Sequence, residues 1–178
     1  MEVLGHVEFG EVLVAWALHE WQGRLRPLLP ASAAQLSPQD TLFHAVLALL
    51  ENRRNVIAGV VAAGITDCTR VRVTAADVPS ILVMGADPVT NYSQNKLSER
   101  DKDGSADHVR ALAASPRRIG GPFLAIARST AGPITVFDGM HRMAAWVAHT
   151  NSGRQYPLEI NLVVTERPSP VFELPASA

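Results

Sequence analysis

The sequence predicts an α+β fold: a mixed β-sheet with flanking helices and a mainly helical N-terminal addition. Three observations carry this. Residues 1 to about 66 are dominated by apolar segments of helical length. From about Arg70 the pattern changes to short, β-branched, alternating runs. Two of those runs, "PFLAIAR" and "ITVFD", are joined by only a short turn, which pairs strands directly and argues against a doubly wound sheet. At 178 residues the chain is long enough for one domain with a real core and short for two.

The elements follow in order. "FGEVLVAWALHEWQGRL" is apolar on too many sides to show a clean period, and its length favours a helix; a short strand within Val3 to Val14 stays open. "PLLPASAAQLSP" reads as a connector. Ser37 to Asp40 has the S-x-x-D form of a helix N-cap. It precedes "TLFHAVLALLENRRNVIAGVVAAG", with Leu42, Val46, Leu49 and Leu50 on one face and Gly64 as the C-cap. Strands are expected at Arg70 to Thr74 and at Ile81 to Met84. "GADPVTNYSQNKLSERDKDGSAD" lacks apolar periodicity and is expected to be a long loop, either a solvated excursion or a substrate or partner loop. "SADHVRALAAS" reads as a short helix capped by Ser105 or Asp107. "PFLAIAR" and "ITVFD" read as strands, "GMHRMAAWVAH" as a helix and "YPLEINLVVTE" as a closing strand. The tail "RPSPVFELPASA" is expected along the surface. The expected division is a single domain with an N-terminal part over 1–66, a core over 67–167 and a Pro-rich tail over 168–178.

Composition narrows the partners. The formal net charge of −1 provides no whole-molecule field toward nucleic acid, so DNA contact would need a local patch. The single cysteine, Cys68, excludes an internal disulfide framework and a Cys-rich zinc site, and reads as a packed or half-exposed thiol rather than a nucleophile. No apolar run reaches the roughly 18 residues of a membrane span, and "MEVLGHVEFGE" lacks a cationic stretch and an apolar signal core. A cytoplasmic protein without membrane insertion is expected.

The most informative stretch is "VFDGMHRMAAW". With a helix starting at Gly139, residues Met140, Met143, Ala144, Val147 and Ala148 form an apolar stripe, and His141 and Arg142 fall off it, in the first turn. There the backbone N–H groups lack intrahelical partners and the helix dipole is positive, which favours an anion. Arg142 adds a guanidinium able to fork a phosphate, and Gly139 would let a phosphate approach the backbone. A purely structural alternative stays open, in which Asp138 caps the helix and pairs with Arg142 four residues on.

This stretch resembles the D/G-G-x-H-R-x-x-A signature of the ParB/sulfiredoxin superfamily. "VRVTAADVPS", "GGPFLAIAR" and "YPLEINLVV" are similar to the family's opening, middle and closing strands, so the likeness spans roughly Val71 to Thr165. Met140 stands where sulfiredoxins carry their catalytic cysteine, which excludes sulfinic-acid reduction. The chain also leaves no room after Thr165 for the DNA-reading helix-turn-helix of partition proteins. The resemblance implies nucleotide binding by Gly139, Met140, His141 and Arg142. Arg117 and Arg118, in the turn before "GGPF", are candidates for closing over the phosphates, set against two solvated loop arginines. Asp138 and His141 would be catalytic, with ATP as the nucleotide and Mg²⁺ as its companion. Stand-alone members of similar size include plasmid fertility inhibition factors, which suppress transfer of T-DNA or plasmids. That likeness implies an ATPase, with DNase activity as a further expectation, whose partner is a secretion or conjugation component.

Glu99, Asp101 and Asp103 are further candidates for Mg²⁺, set against a merely soluble loop. Three alternatives stay beside this reading: metal-assisted DNA cleavage by His141 and Asp138, a non-catalytic inhibitor contacting its partner through the segment holding Trp16 and Trp21, and a small-molecule (serine-type) kinase. The six histidines show no H-E-x-x-H pattern, which gives the metal reading little sequence support.

Overall fold

The computed structural model describes residues 1–21, 37–83, 87–98, 105–115, 119–151 and 156–166. Seven strands, β1 (Glu2–Glu8), β2 (Asp67–Val73), β3 (Ile81–Val83), β4 (Asp87–Pro88), β5 (Leu124–Ala127), β6 (Ile134–Asp138) and β7 (Leu158–Val164), form one sheet. Their order is β1-β2-β7-β5-β6-β3-β4. The β5–β7 and β3–β6 pairs are parallel and the others antiparallel, so the sheet is mixed and the class α+β, as the direct turn between β5 and β6 predicts.

Strand alternation sends side chains to two cores. Along β5, Leu124 and Ile126 face α1 (Phe9–Glu20) and α2 (Pro38–Ala62), where they pack with Trp16, Leu49, Ile57 and Val60. Ala125 and Ala127 face the other way, into a core with Val89 of α3 (Val89–Ser98), Val109 of α4 (Ser105–Ala114) and Met143 of α5 (Met140–Asn151). Helices therefore cover both faces, and the sheet reads as apolar on both sides at its centre.

The N-terminal part is more than a helical addition. β1 pairs antiparallel with β2, from Glu2 opposite Arg72 to Glu8 opposite Asp67, and becomes an edge strand of the sheet. Only then does α1 begin, its Phe9 N–H bonded to Thr66 O at 2.8 Å. The Ser37 cap forms as expected, its Oγ accepting from the Asp40 N–H at 3.1 Å. Gly64 follows α2 with φ +71° and donates to Val61 O. Of the expected face of α2, Leu49 is buried and Val46 packs against the core, whereas Leu50 is exposed; Ala45, Ile57 and Val60 complete the buried side. Trp16 and Trp21 are buried core residues, which removes them from any docking surface. Cys68 is a packed thiol, fully buried, and burial pushes its pKa up to about 12, aided by Asp67.

The expected long loop contains β4 and α3. "VTNYSQNKLS" is too polar to announce a helix, but Val89, Tyr92, Ser93 and Leu97 lie on its inner side and pack it down. The buried Ser93 hydroxyl donates to Ala144 O at 2.9 Å and ties α3 to α5. Tertiary contacts, not propensity, hold this helix. α5 is the most deeply packed helix: residues 142–147 are all buried, so its apolar surface is wider than one stripe. Trp146 closes its far side, its Nε1–H donating to Tyr156 O at 3.0 Å. Among the described residues no helix is long and apolar enough to cross a membrane.

Candidate functional site

β6 ends at Asp138 and α5 begins at Met140, a strand-to-helix turn of a single residue. Gly139 makes it, with φ +86°. Its C=O accepts the first helical bond, from the Met143 N–H at 2.8 Å, so Gly139 takes the N-cap position and Asp138 lies one residue before it. The missing Cβ serves packing: a methyl there would sit 2.8 Å from Phe123 Cδ1 and 3.1 Å from Arg142 Nη2.

Arg142 is buried, at 9% exposure, although it falls off the apolar stripe. Its Nη1 donates to Gly120 O at 3.2 Å and its Nη2 to Pro122 O at 2.8 Å, which fastens the segment before β5 to α5. Nη2 also reaches Asp138 Oδ2 at 3.4 Å, and the guanidinium lies over the Phe123 ring, 4.6 Å from its centroid. The expected Asp138–Arg142 pair is therefore present. Gly121 completes the arrangement: with φ +118°, any Cβ it carried would meet Arg142 Nη1 at 2.5 Å and the His19 ring at 2.8 Å.

Asp138, Gly139 and Arg142 lie on the wall of a cavity of about 430 Å³ at the N-terminus of α5. Asp138, Gly139, Met140, His141 and Arg142, all singled out in the sequence, are brought together on its wall. Arg117 and Arg118 lie outside the described residues, as do Glu99, Asp101 and Asp103. The remaining lining includes residues that sequence reasoning missed: His19 and Glu20 from the end of α1, Arg53 from the middle of α2, and His108 and Leu112 from α4. His141 stands between Tyr92 and His108, ring centroids 6.4 and 6.0 Å away. Arg53 Nη2 approaches Asp138 Oδ1 at 3.6 Å, so the buried Asp138 carboxylate faces two guanidiniums.

Arg53 lines the cavity from a kink in α2, where its backbone has φ −121° and ψ 19°. One residue earlier, Asn52 Nδ2 donates to Ala48 O at 2.7 Å, a side chain competing for the carbonyl ladder of its own helix. The polar interruption "ENRRN" inside a long apolar helix was the available sequence signal.

Burial lowers the pKa of His19, and the Arg142 guanidinium lowers it further, against the opposing pull of Glu20. In the unfolded chain an imidazole titrates near about 6.5. As pH falls through that value the unfolded state takes up a proton before the folded one does, so stability declines from there down to the lower folded pKa. Urea titrations between about pH 7 and 5 are expected to show this decline in the wild type and a shallower one in His19→Gln. Identical slopes in the two proteins would contradict it.

Arg53 and Arg142 supply positive charge, Asp138 and Glu20 supply negative charge, and three imidazoles supply groups that give or take protons. Among the described residues no three His, Cys, Asp or Glu converge to hold a metal ion. Comparisons of the chain with family models, curated proteins and solved structures found no match.

Proposed function

We propose that the protein binds a nucleotide through its phosphates at the N-terminus of α5 and hydrolyses it, with ATP as the first candidate. The observation that supports this best is the convergence on one cavity of about 430 Å³ of a helix N-terminus, Arg53 and the imidazoles of His19, His108 and His141. The dipole end and the guanidinium favour phosphate oxygens, and the volume falls in the range of small-molecule sites. In the hydrolytic step a water oxygen attacks the terminal phosphorus, the bond to the bridging oxygen breaks, and the water proton passes to an imidazole. His141, in the first turn of α5, is placed to donate to a phosphoryl oxygen. His19, held neutral, is placed to accept the proton. Asp138 or Glu20, the carboxylates lining the cavity, would hold a Mg²⁺ ion, whose charge would offset that of the phosphates.

The likeness to the D-G-x-H-R signature extends this reading to a biological role, inhibition of plasmid or T-DNA transfer. That role is supported by sequence likeness and not by the cavity. Metal-assisted DNA cleavage at His141 and Asp138 has no three converging ligands behind it among the described residues.

The first test is thermal unfolding with ATP, ADP, CTP and GTP, each with and without Mg²⁺. A ligand held at a hundred times its Kd adds about 2.7 kcal/mol through linkage, an upward shift of several degrees. Phosphate release that disappears in His141→Ala would support hydrolysis. A Tm indifferent to all four nucleotides would remove the proposal.

A further inference from the structure

We propose that Arg53, and not Arg142 of the recognised motif, is the guanidinium that grips the ligand's phosphate, and that it does so by exchanging Asp138 for the ligand. This rests on the reading of the cavity as a phosphate site.

The two arginines of the cavity are in opposite states. Arg142 spends its donors on the chain itself: Gly120 O, Pro122 O and Asp138, with Phe123 stacked beneath it. To turn it toward a ligand would release the segment before β5 and leave two carbonyls without their donor. Among the described residues Arg53 makes a single charged contact, the 3.6 Å approach to Asp138, which exceeds hydrogen-bonding distance. Its side chain is 32% exposed, so its head can turn without opening the core. Its donor set is available, and a guanidinium meets two phosphate oxygens at once.

The exchange leaves no buried charge stranded. When Arg53 turns to the ligand, Asp138 keeps Arg142 at 3.4 Å. A carboxylate with 8% of its side chain exposed would otherwise be costly to leave without a cation. Two guanidiniums on one buried carboxylate are one more than pairing needs, and the second is the one brought in from another layer. The kink at Arg53, with Asn52 bonded to Ala48 O, departs from helical geometry at the residue whose head lines the cavity. The N-terminal part of the chain, which the family signature does not reach, thus contributes a determinant of phosphate recognition.

The test is calorimetric titration of the full chain with ATP and AMP in the presence of Mg²⁺, for wild type, Arg53→Ala and Arg53→Lys. Wild type is expected to prefer ATP over AMP. Arg53→Ala is expected to weaken ATP binding by roughly ten- to a hundredfold, the loss of a charge-assisted pair, and AMP binding far less, so that the preference collapses. Arg53→Lys is expected to recover part of it, and to carry the comparison if the alanine variant does not fold. ATP binding by Arg53→Ala within twofold of wild type overturns this assignment and leaves the nucleotide reading standing. Equal losses for ATP and AMP overturn it as well, since they would make Arg53 part of the cavity's frame. Absence of nucleotide binding by the wild type removes both.

Discussion

Replacing Arg142 with alanine is expected to lower the unfolding free energy by roughly 3–5 kcal/mol, the usual cost of breaking a buried ion pair by removing one partner. The side chains of Arg142 and Asp138 are 11% and 8% exposed, so water can do little to repair the loss. Three interactions go together: the Asp138 pair, the bond to Pro122 O at 2.8 Å and the bond to Gly120 O at 3.2 Å. Arg53 remains near Asp138, but at 3.6 Å and from a more exposed position it replaces only part of the field. Arg142→Lys keeps the charge and loses the fork, and is expected to fall between the two. The double variant Arg142→Met/Asp138→Asn removes both charges at once and is expected to recover a substantial part of the stability lost by Arg142→Ala. Urea unfolding of the four proteins decides the matter; a loss below about 1 kcal/mol for Arg142→Ala would mean the pair is solvated. A drop in nucleotide affinity in this variant would carry little information about phosphate contact, because the cavity wall itself depends on Arg142.

The sequence makes the local part of this site legible and hides the rest. Ser37 and Asp40 lie three residues apart, the apolar residues of α5 repeat at helical spacing, and β6 runs straight into Asp138; each signal is contained within one element and each forms as read. The strand at Glu2–Glu8 was hard to see because its apolar residues merge into the helix that follows. α3 is not legible in its own stretch because its helicity comes from Ser93 and Val89 docking on a core that other segments build. His19, Arg53 and His108 belong to three different helices, and only the folded sheet brings them to one wall. Nothing in their spacing could announce that meeting. The arginine in the motif reads as a ligand group from its own stretch, because the two carbonyls and the phenyl ring that it meets belong to the segment before β5, about twenty residues upstream.

Gly139→Ala is expected to destabilise the protein by roughly 2–4 kcal/mol, from two separable causes. The first is backbone strain: at φ +86° an L-residue with a Cβ is held in a region it rarely adopts, a cost of about 1–3 kcal/mol. The second is contact: the new methyl would lie 2.8 Å from Phe123 Cδ1 and 3.2 Å from Cε1, and Phe123 is fully buried with nowhere to retreat. The two causes come apart in a double variant. Phe123→Leu removes the ring, so Gly139→Ala made in that background should cost less than in the wild type by the share due to contact, and the remaining cost reports the strain. Gly139→Asn tests the other half, since asparagine tolerates positive φ but keeps the Cβ that meets the ring. Equal costs of Gly139→Ala in both backgrounds would mean that conformation alone demands glycine here. A Tm for Gly139→Ala within about a degree of wild type would mean that neither cause operates.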